Sequence, residues 1–176
     1  MNMAVAEKGL MVLHFDARGK AGHAARDLGE NAIYKAMNDI KWFSSYQFPE
    51  ISKMLGPVKM SVTIIEGGTQ HNVIPDSCRF TVDIRTTDVY NHDEILSTIR
   101  DNVSADLARC SLRLNPSGIS EEHALVKTAT ELGISLFGSP TLSDQALLDM
   151  PSVKMGPGMS ERSHTAGEFI YLDEIK

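Results

Sequence analysis

The sequence has few cysteines, no long apolar run and no excess of basic residues. Its two cysteines, Cys78 and Cys110, are too few among 176 residues for a disulfide scaffold, which favours a reducing cytoplasm. No apolar run approaches the roughly 20 residues of a membrane span, and no secretory signal is visible at the start. The formal net charge of -6 argues against nucleic-acid binding. We therefore expect a cytoplasmic globular protein that binds neither nucleic acid nor a membrane.

Several enzyme motifs are missing as well. The chain has no nucleophile elbow, no phosphate-binding glycine loop, no C-x-x-C and no H-E-x-x-H. It offers instead a corner, Gly156-Pro157-Gly158, that leads to a histidine, His164. Glycine accepts positive φ and proline fixes its own φ, so this corner leaves the following residues little freedom. On spacing alone, a loop histidine is more often an ordinary polar residue than a metal ligand.

Hydrophobic periodicity predicts an α+β fold. Alternating apolar residues predict strands at about 10–18, 58–66, 78–86 and 107–115. Stripes at helical spacing predict helices at about 30–46 and after Asn91, which forms a capping pair with Glu94. The inward faces of the second, third and fourth strands are predicted to include Ile64, Cys78 and Cys110, the cysteines as small buried hydrophobes. The resulting order, β-α-β-β-α-β, is the ferredoxin-like arrangement.

We predict two domains, with the ferredoxin-like one at residues 8–116. Residues 117–176 contain one full predicted helix, at about 121–132, and the start of another at Glu168-Phe169-Ile170. They offer few apolar positions for a core of their own. We interpret them as the incomplete C-terminal part of a larger α/β domain.

Three polar residues interrupt tight turns or strand ends. His23 lies among small residues, Asn72 follows a Gly-Gly pair, and Arg85 ends a strand. Each has a plain explanation: a surface loop residue, a turn former that tolerates positive φ, and a solvated strand residue. From the residues alone, these structural interpretations are favoured over a functional role.

Three ordered motifs resemble those of a known enzyme family. They are Lys20-Ala21-Gly22-His23-Ala24-Ala25-Arg26, Gly68-Thr69-Gln70-His71-Asn72-Val73-Ile74-Pro75-Asp76 followed by Asp83-Ile84-Arg85, and the segment from Lys154 to Ile170. The first two resemble the lid, or dimerisation, domain of acetylornithine deacetylase, and the third resembles the end of its catalytic domain. The family includes succinyl-diaminopimelate desuccinylase and other dinuclear zinc amidohydrolases. The resemblance covers nearly the whole chain.

The resemblance implies roles for five residues. His23 matches a lid histidine that reaches into the partner subunit's active site and stabilises the tetrahedral oxyanion. Asn72 and Arg85 match lid residues that hold the polar end and the carboxylate of the substrate. Gly156 begins a loop, 156–160, that would line the substrate pocket. His164 matches a metal ligand.

The implied activity is hydrolysis of an N-acylated ornithine, acetyl or succinyl, in arginine biosynthesis. Two zinc (or cobalt) ions would serve the full-length parent. Most of the family's metal-binding carboxylates lie in an N-terminal segment that we expect to precede this chain, so we expect the fragment alone to be inactive and to hold no metal stably. Met159 replaces an expected aspartate and leaves the exact substrate open. The alternatives are a non-catalytic dimerisation module and a related metallopeptidase or desuccinylase.

The sequence also predicts a homodimer through the lid domain. The strand from Val58 to Ile65 should be a sheet edge, and it carries one charge, Lys59. An edge with so little charge invites pairing with another chain. The first helix, with Trp42, Phe43 and Tyr46 near its end, is expected to complete this two-fold interface.

Overall fold

The structure is a computed structural model that describes residues 2–26, 28–163 and 165–175. The strands in these ranges are β1 (Asn2–Glu7), β2 (Gly9–Arg18), β3 (Gly22–His23), β4 (Lys59–Gly67), β5 (Val73–Ile74), β6 (Ser77–Thr86), β7 (Asp106–Leu114), β8 (Ser117–Gly118), β9 (Ser135–Ser139) and β10 (Lys154–Gly156). The α-helices are α1 (Ala32–Ser45), α2 (His92–Arg100) and α3 (Ala124–Glu131). Short 3-10 helices lie at Asp144–Leu147, Ser160–Arg162 and Leu172–Glu174.

The ferredoxin-like prediction is confirmed. Strands β4, β6, β2 and β7 form an antiparallel sheet in that order, with α1 between β2 and β4 in the chain and α2 between β6 and β7. This ferredoxin-like sheet is held by alternating apolar residues of its two central strands, because successive side chains of a strand point to opposite faces. Leu13 of β2 and Val82 of β6 are cross-strand partners and both are fully buried.

One core joins this sheet to both helices. Phe15 of β2 stacks on Phe80 of β6 with ring centroids 5.1 Å apart, and Phe43 of α1 lies 5.5 Å from Phe15. From α2, Ile95 and Ile99 are buried in the same cluster. Aromatic side chains bury large areas, so this cluster accounts for much of the stability of the ferredoxin-like unit.

The helix starts are specified locally. The Asn31 side chain accepts a hydrogen bond from the Ile33 backbone N–H at 2.9 Å, which caps α1. At α2, Asn91 accepts from Glu94 N–H, and the Glu94 carboxylate accepts from Asn91 N–H, each at 2.9 Å. The predicted capping pair is therefore a full capping box.

A second sheet is built around β1. Strand β9 pairs with β1 in parallel, while β10 and β8 pair with it antiparallel along its first and last residues. Met3 and Val5 of β1 pack with Val126 and Ala129 of α3 in a small separate core. This central strand was not predicted from sequence, because its partners lie more than a hundred residues further along the chain.

Three local predictions were wrong. Strand β4 has a bulge between Val62 and Ile64, and Ile64 then pairs with Thr81 on the outer face of the sheet. Such an inserted residue reverses the alternation of the strand beyond it. Cys110 is exposed, whereas Cys78 is buried, because β7 is an edge strand with two register shifts against β2.

The third wrong prediction was the helix starting at Glu168. Glu168 N–H instead closes a turn onto the Thr165 carbonyl at 3.2 Å, and the next helical turn is the short 3-10 helix at Leu172–Glu174. Gly167 adopts φ of 75°, in the left-handed region that ends rather than extends a right-handed helix.

Candidate functional site

His23 and Asn72 are brought together by a small two-stranded ribbon. In this ribbon β3 pairs antiparallel with β5, with Gly22 opposite Ile74 and His23 opposite Val73. Ala24 N–H donates to the Asn72 carbonyl at 2.9 Å, which extends the pairing by one residue. Both His23 and Asn72 are exposed. Two of the predicted site residues therefore project from neighbouring positions of one ribbon.

The ribbon is anchored firmly at its base. Lys20 and Glu30 exchange backbone hydrogen bonds of 2.8 and 2.9 Å, and Gly19 N–H donates to the Asp76 carbonyl at 2.8 Å. A Cβ at Gly19 would lie 2.1 Å from the Glu30 carbonyl oxygen, so only glycine permits this close approach. The start of α1 and the loop before β6 thus hold the ribbon in place.

One ring nitrogen of His23 acts as a hydrogen-bond acceptor, which leaves the other free to donate. Its Nδ1 accepts a hydrogen bond from Ala25 N–H at 3.1 Å. A neutral imidazole that accepts at Nδ1 carries its proton at Nε2. In that tautomer His23 presents its Nε2–H donor at the exposed ribbon.

Arg85 lies at the opposite end of the same sheet. The ribbon joins β6 just before Ser77, and Arg85 is eight residues further along that strand, about 27 Å away at the rise of an extended strand. Arg85 forms a bidentate ion pair with Asp83. Its Nε donates to Oδ1 at 2.8 Å and its Nη2 donates to Oδ2 at 3.0 Å. The structure does not bring Arg85 together with His23 and Asn72 within one chain.

A basic pocket of about 220 Å³ surrounds Arg85. It is lined by Lys8, Lys59, Ser61, Asp83, Arg85 and Pro140. Lys8 is 8% exposed, and its Nζ donates to the Pro57 carbonyl at 2.6 Å. Burial lowers the pKa of Lys8, and the positive charges of Lys59 and Arg85 lower it further. Neither Lys8 nor Lys59 could be recognised from sequence, because strand register places Lys59 beside Arg85 and the connection between β1 and β2 places Lys8 there.

The glycine-rich loop lines a larger cavity. Gly156 pairs with Asn2 at the end of β10, and residues 156–160 line a cavity of about 520 Å³ together with Phe137 and Glu168. Gly158 has φ of 87°, which favours glycine at this position. Lys154, at the start of β10, forms an ion pair with buried Glu7 of β1.

The predicted metal ligand, His164, lies outside the described residues. Within residues 2–26, 28–163 and 165–175, no three His, Cys, Asp or Glu side chains form a group that could hold a metal ion. A His-x-Asp spacing does occur at His14 and Asp16, but His14 is within hydrogen-bond distance of Thr81 (3.0 Å), and Asp16 pairs with Arg18. The described residues therefore do not by themselves fit a two-metal centre, which needs several convergent ligands.

The fold defines the class of this protein. A ferredoxin-like sheet with both helices on one face is joined by a short connection to a second sheet with its own small core. The chain therefore consists of a ferredoxin-like unit and a second unit of mixed strands and helix. Residues 5–109 match the family model described as the peptidase dimerisation domain, and the chain belongs to this M20 dimerisation-domain family.

Curated relatives are longer than this chain. An acetylornithine deacetylase from Myxococcus xanthus is 25% identical over 190 residues, which cover 97% of this chain and 50% of that protein. A succinyl-diaminopimelate desuccinylase from Dinoroseobacter shibae is 26% identical over 108 residues, covering 60% of this chain and 28% of that protein. The chain thus spans half or less of the length of these relatives.

Solved structures share the fold. An M20 family metallo-carboxypeptidase from Sulfolobus solfataricus superposes with a TM-score of 0.69 at 12% identity, covering 98% of this chain and 56% of that chain. This likeness extends over both sheets. None of the helices in the described residues is long and apolar enough to cross a membrane.

Proposed function

We propose that this chain is part of a metal-dependent amidohydrolase that cleaves the amide bond of an N-acylated ornithine, acetyl or succinyl, in arginine biosynthesis. Membership of the peptidase dimerisation family and the match to an acetylornithine deacetylase support this proposal. The structural observation that carries it is the ribbon that presents a histidine N–H donor beside Asn72. We also place the protein in the cytoplasm, on the grounds of its two free cysteines.

In this proposal the residues of the chain act at two separate places. His23 donates its Nε2–H to the oxyanion that forms when the amide carbonyl is attacked, and Asn72 holds a polar group of the substrate. Arg85 holds the substrate carboxylate through the N–H groups that Asp83 leaves available. Since the strand separates Arg85 from the ribbon by about 27 Å, one active site draws His23 and Asn72 from one subunit and Arg85 from its partner.

The two zinc or cobalt ions of the proposed reaction belong to the longer protein. His164 is the metal ligand that this chain would contribute, and its remaining partners would come from a segment outside the chain. When bound, the metals would supply Lewis acidity that activates a water molecule near neutral pH. Gly156 and the loop after it would line the substrate pocket, consistent with the cavity between this loop and Phe137.

The proposed homodimer uses β4 and α1. Strand β4 is an edge of the ferredoxin-like sheet, where Ile64 and Ile65 are 52% and 53% exposed, and α1 exposes Tyr34 and Met37. Phe43 does not contribute to this surface, contrary to the sequence-based expectation, because it is 2% exposed in the core. Two-fold pairing of β4 would join two sheets of four strands and cover this apolar strip.

Two alternatives are separated by one assay. A longer protein that includes the preceding segment is loaded with Zn²⁺ or Co²⁺ and given N-acetylornithine, N-succinylornithine and N-succinyl-diaminopimelate. Preferential hydrolysis of an acylated ornithine, abolished by a chelator, supports the proposal, whereas preference for the third substrate identifies a desuccinylase. Absence of turnover on all three supports a dimerisation module. The 176-residue chain alone is expected to show none.

A further inference from the structure

The basic pocket around Arg85 contains more positive charge than one arginine site needs. Lys8, Lys59 and Arg85 line it, and Asp83 is the carboxylate among its lining residues. Both oxygens of Asp83 are engaged by Arg85. Two positive charges in the pocket are therefore not balanced by the residues that line it.

These two charges belong to the lysines. In the part of the chain that the structure describes, neither Lys8 nor Lys59 forms an ion pair with a carboxylate. Lys8 Nζ donates one hydrogen bond, to the Pro57 carbonyl, and an ammonium group has three donors. A buried ammonium with unused donors beside two other cations is costly unless an anion accompanies it.

The pocket is formed by register and by the meeting of the two sheets. Lys59 of β4 is the cross-strand partner of Arg85 on β6, which places the two side chains on the same face. Lys8 connects β1 to β2, and Pro140 follows β9 of the second sheet. The cations are thus held by elements of both sheets.

We propose that Lys8, Lys59 and Arg85 together form a subsite for a dianionic group, and that a short dicarboxylate occupies it, with Lys59 as a specificity-determining residue. Two carboxylates match the two unbalanced charges and supply acceptors for the lysine donors and the arginine. Burial lowers the pKa of Lys8, and the charges of Lys59 and Arg85 lower it further, so an anion bound here would favour its charged form.

This inference rests on the proposed function for the identity of the natural occupant, and it narrows that function. An N-succinyl amino acid carries two carboxylates, whereas N-acetylornithine carries one. The pocket therefore favours the succinyl over the acetyl form of the substrate.

The test measures equilibrium binding to the 176-residue chain, at neutral pH and constant ionic strength, by calorimetry. The probes are succinate, acetate, inorganic phosphate and uncharged succinamide. Succinate is expected to bind about tenfold or more tightly than acetate or phosphate, and succinamide is expected not to bind. Equal affinity for succinate and acetate, tighter binding of phosphate, or no binding of succinate overturns the proposal.

Variants locate the binding. Lys59→Gln should weaken succinate binding roughly tenfold, and Lys59→Arg, which keeps the charge, should retain it. Lys41→Gln is the matched control, because Lys41 is exposed on α1 away from the pocket. Equal effects of the two glutamine variants would assign the binding to overall charge and refute the subsite. Circular dichroism confirms that each variant is folded.

This measurement involves neither metal nor turnover. If the longer protein hydrolyses its substrate but succinate does not bind to the 176-residue chain, only the dicarboxylate subsite is refuted. Succinate binding without hydrolysis by the longer protein would leave the subsite standing and remove the proposed reaction.

Discussion

Glu7 and Lys154 form an ion pair that ties the end of β1 to the start of β10. The other carboxylate oxygen of Glu7 accepts hydrogen bonds from Ser143, from the backbone N–H at 2.9 Å and from the hydroxyl at 2.6 Å. Glu7 is 1% exposed, so a charge at this position depends on these partners. The glycine-rich loop that follows Lys154 is thereby fastened to the central strand of the second sheet.

Glu7→Gln should destabilise the protein by about 2 kcal/mol, because it leaves the Lys154 ammonium without its buried counter-charge. Urea unfolding measures the change. The control is Glu122→Gln, which breaks an ion pair with Lys127 whose side chains are 83% and 56% exposed, and it should cost less than about 0.5 kcal/mol. Similar losses in both variants would show that the Glu7 pair contributes no more than a surface pair.

His23→Ala in the longer protein should lower kcat by about a hundredfold and change KM little, because an oxyanion donor acts mainly in the transition state. Steady-state kinetics with the preferred acylated ornithine measure both constants. His71→Ala is the control, since His71 is exposed in the loop that precedes β5. If His23→Ala keeps kcat within about twofold of the parent, the histidine is an ordinary ribbon residue.

Ile65→Lys should convert a dimer of the chain into a monomer, because it places a charge on the exposed apolar part of the β4 edge. Sedimentation equilibrium across a range of protein concentrations gives the mass. Leu125→Lys provides the comparison, because Leu125 is a similarly exposed residue, 51% against 53%, but lies on α3. A wild-type chain that is monomeric at high concentration, or a lysine variant that remains dimeric, contradicts the proposed interface.

Acidification should loosen the C-terminal segment around Glu174. Hydrogen bonds from the Arg162 side chain, at 2.6 and 3.1 Å, and from Tyr171 N–H lower the pKa of Glu174. The pKa of Glu174 is lower in the folded than in the unfolded chain. The stabilisation that its ionised carboxylate provides is therefore fully present above the ordinary carboxyl pKa, and it is lost as pH falls through the lowered value.

An NMR titration of the Glu174 carboxyl checks this linkage. Arg162→Lys keeps the charge but loses the planar two-pronged contact, so the pKa of Glu174 should rise towards the ordinary range. The control is Arg100→Lys on α2, which should leave the pKa of Glu174 unchanged. An unaltered pKa in Arg162→Lys would mean that the arginine does not set the titration.

The central strands and helices of the ferredoxin-like unit could be predicted from sequence because their signals are local. Strand β6 alternates without interruption, with Phe80 and Ile84 buried, and Asn91 with Glu94 marks the start of α2 directly. The edge strands were less predictable. A bulge in β4 and register shifts in β7 depend on neighbouring strands, and they turned Ile64 and Cys110 to solvent.

The candidate site was predictable only as separate residues. His23 and Asn72 could each be recognised within a motif, but their adjacency depends on pairing between two strands of two residues each, which are too short to show periodicity. Lys8 and Lys59 share a pocket with Arg85 only because of tertiary contacts. No pattern along the chain distinguishes them from ordinary surface lysines.

Strand β1 is central to the second sheet, β2 lies inside the ferredoxin-like sheet, and Lys8 alone separates them. A single residue offers two soft backbone torsions, and the N–H of Lys8 is already committed to the Ser139 carbonyl at 3.1 Å. The strand that accepts this bond is itself closely packed, since a Cβ at Gly138 of β9 would lie 2.0 Å from the Met54 carbonyl oxygen. The joint is therefore stiff, and a pull on one sheet would be transmitted along continuous backbone into the middle of the other.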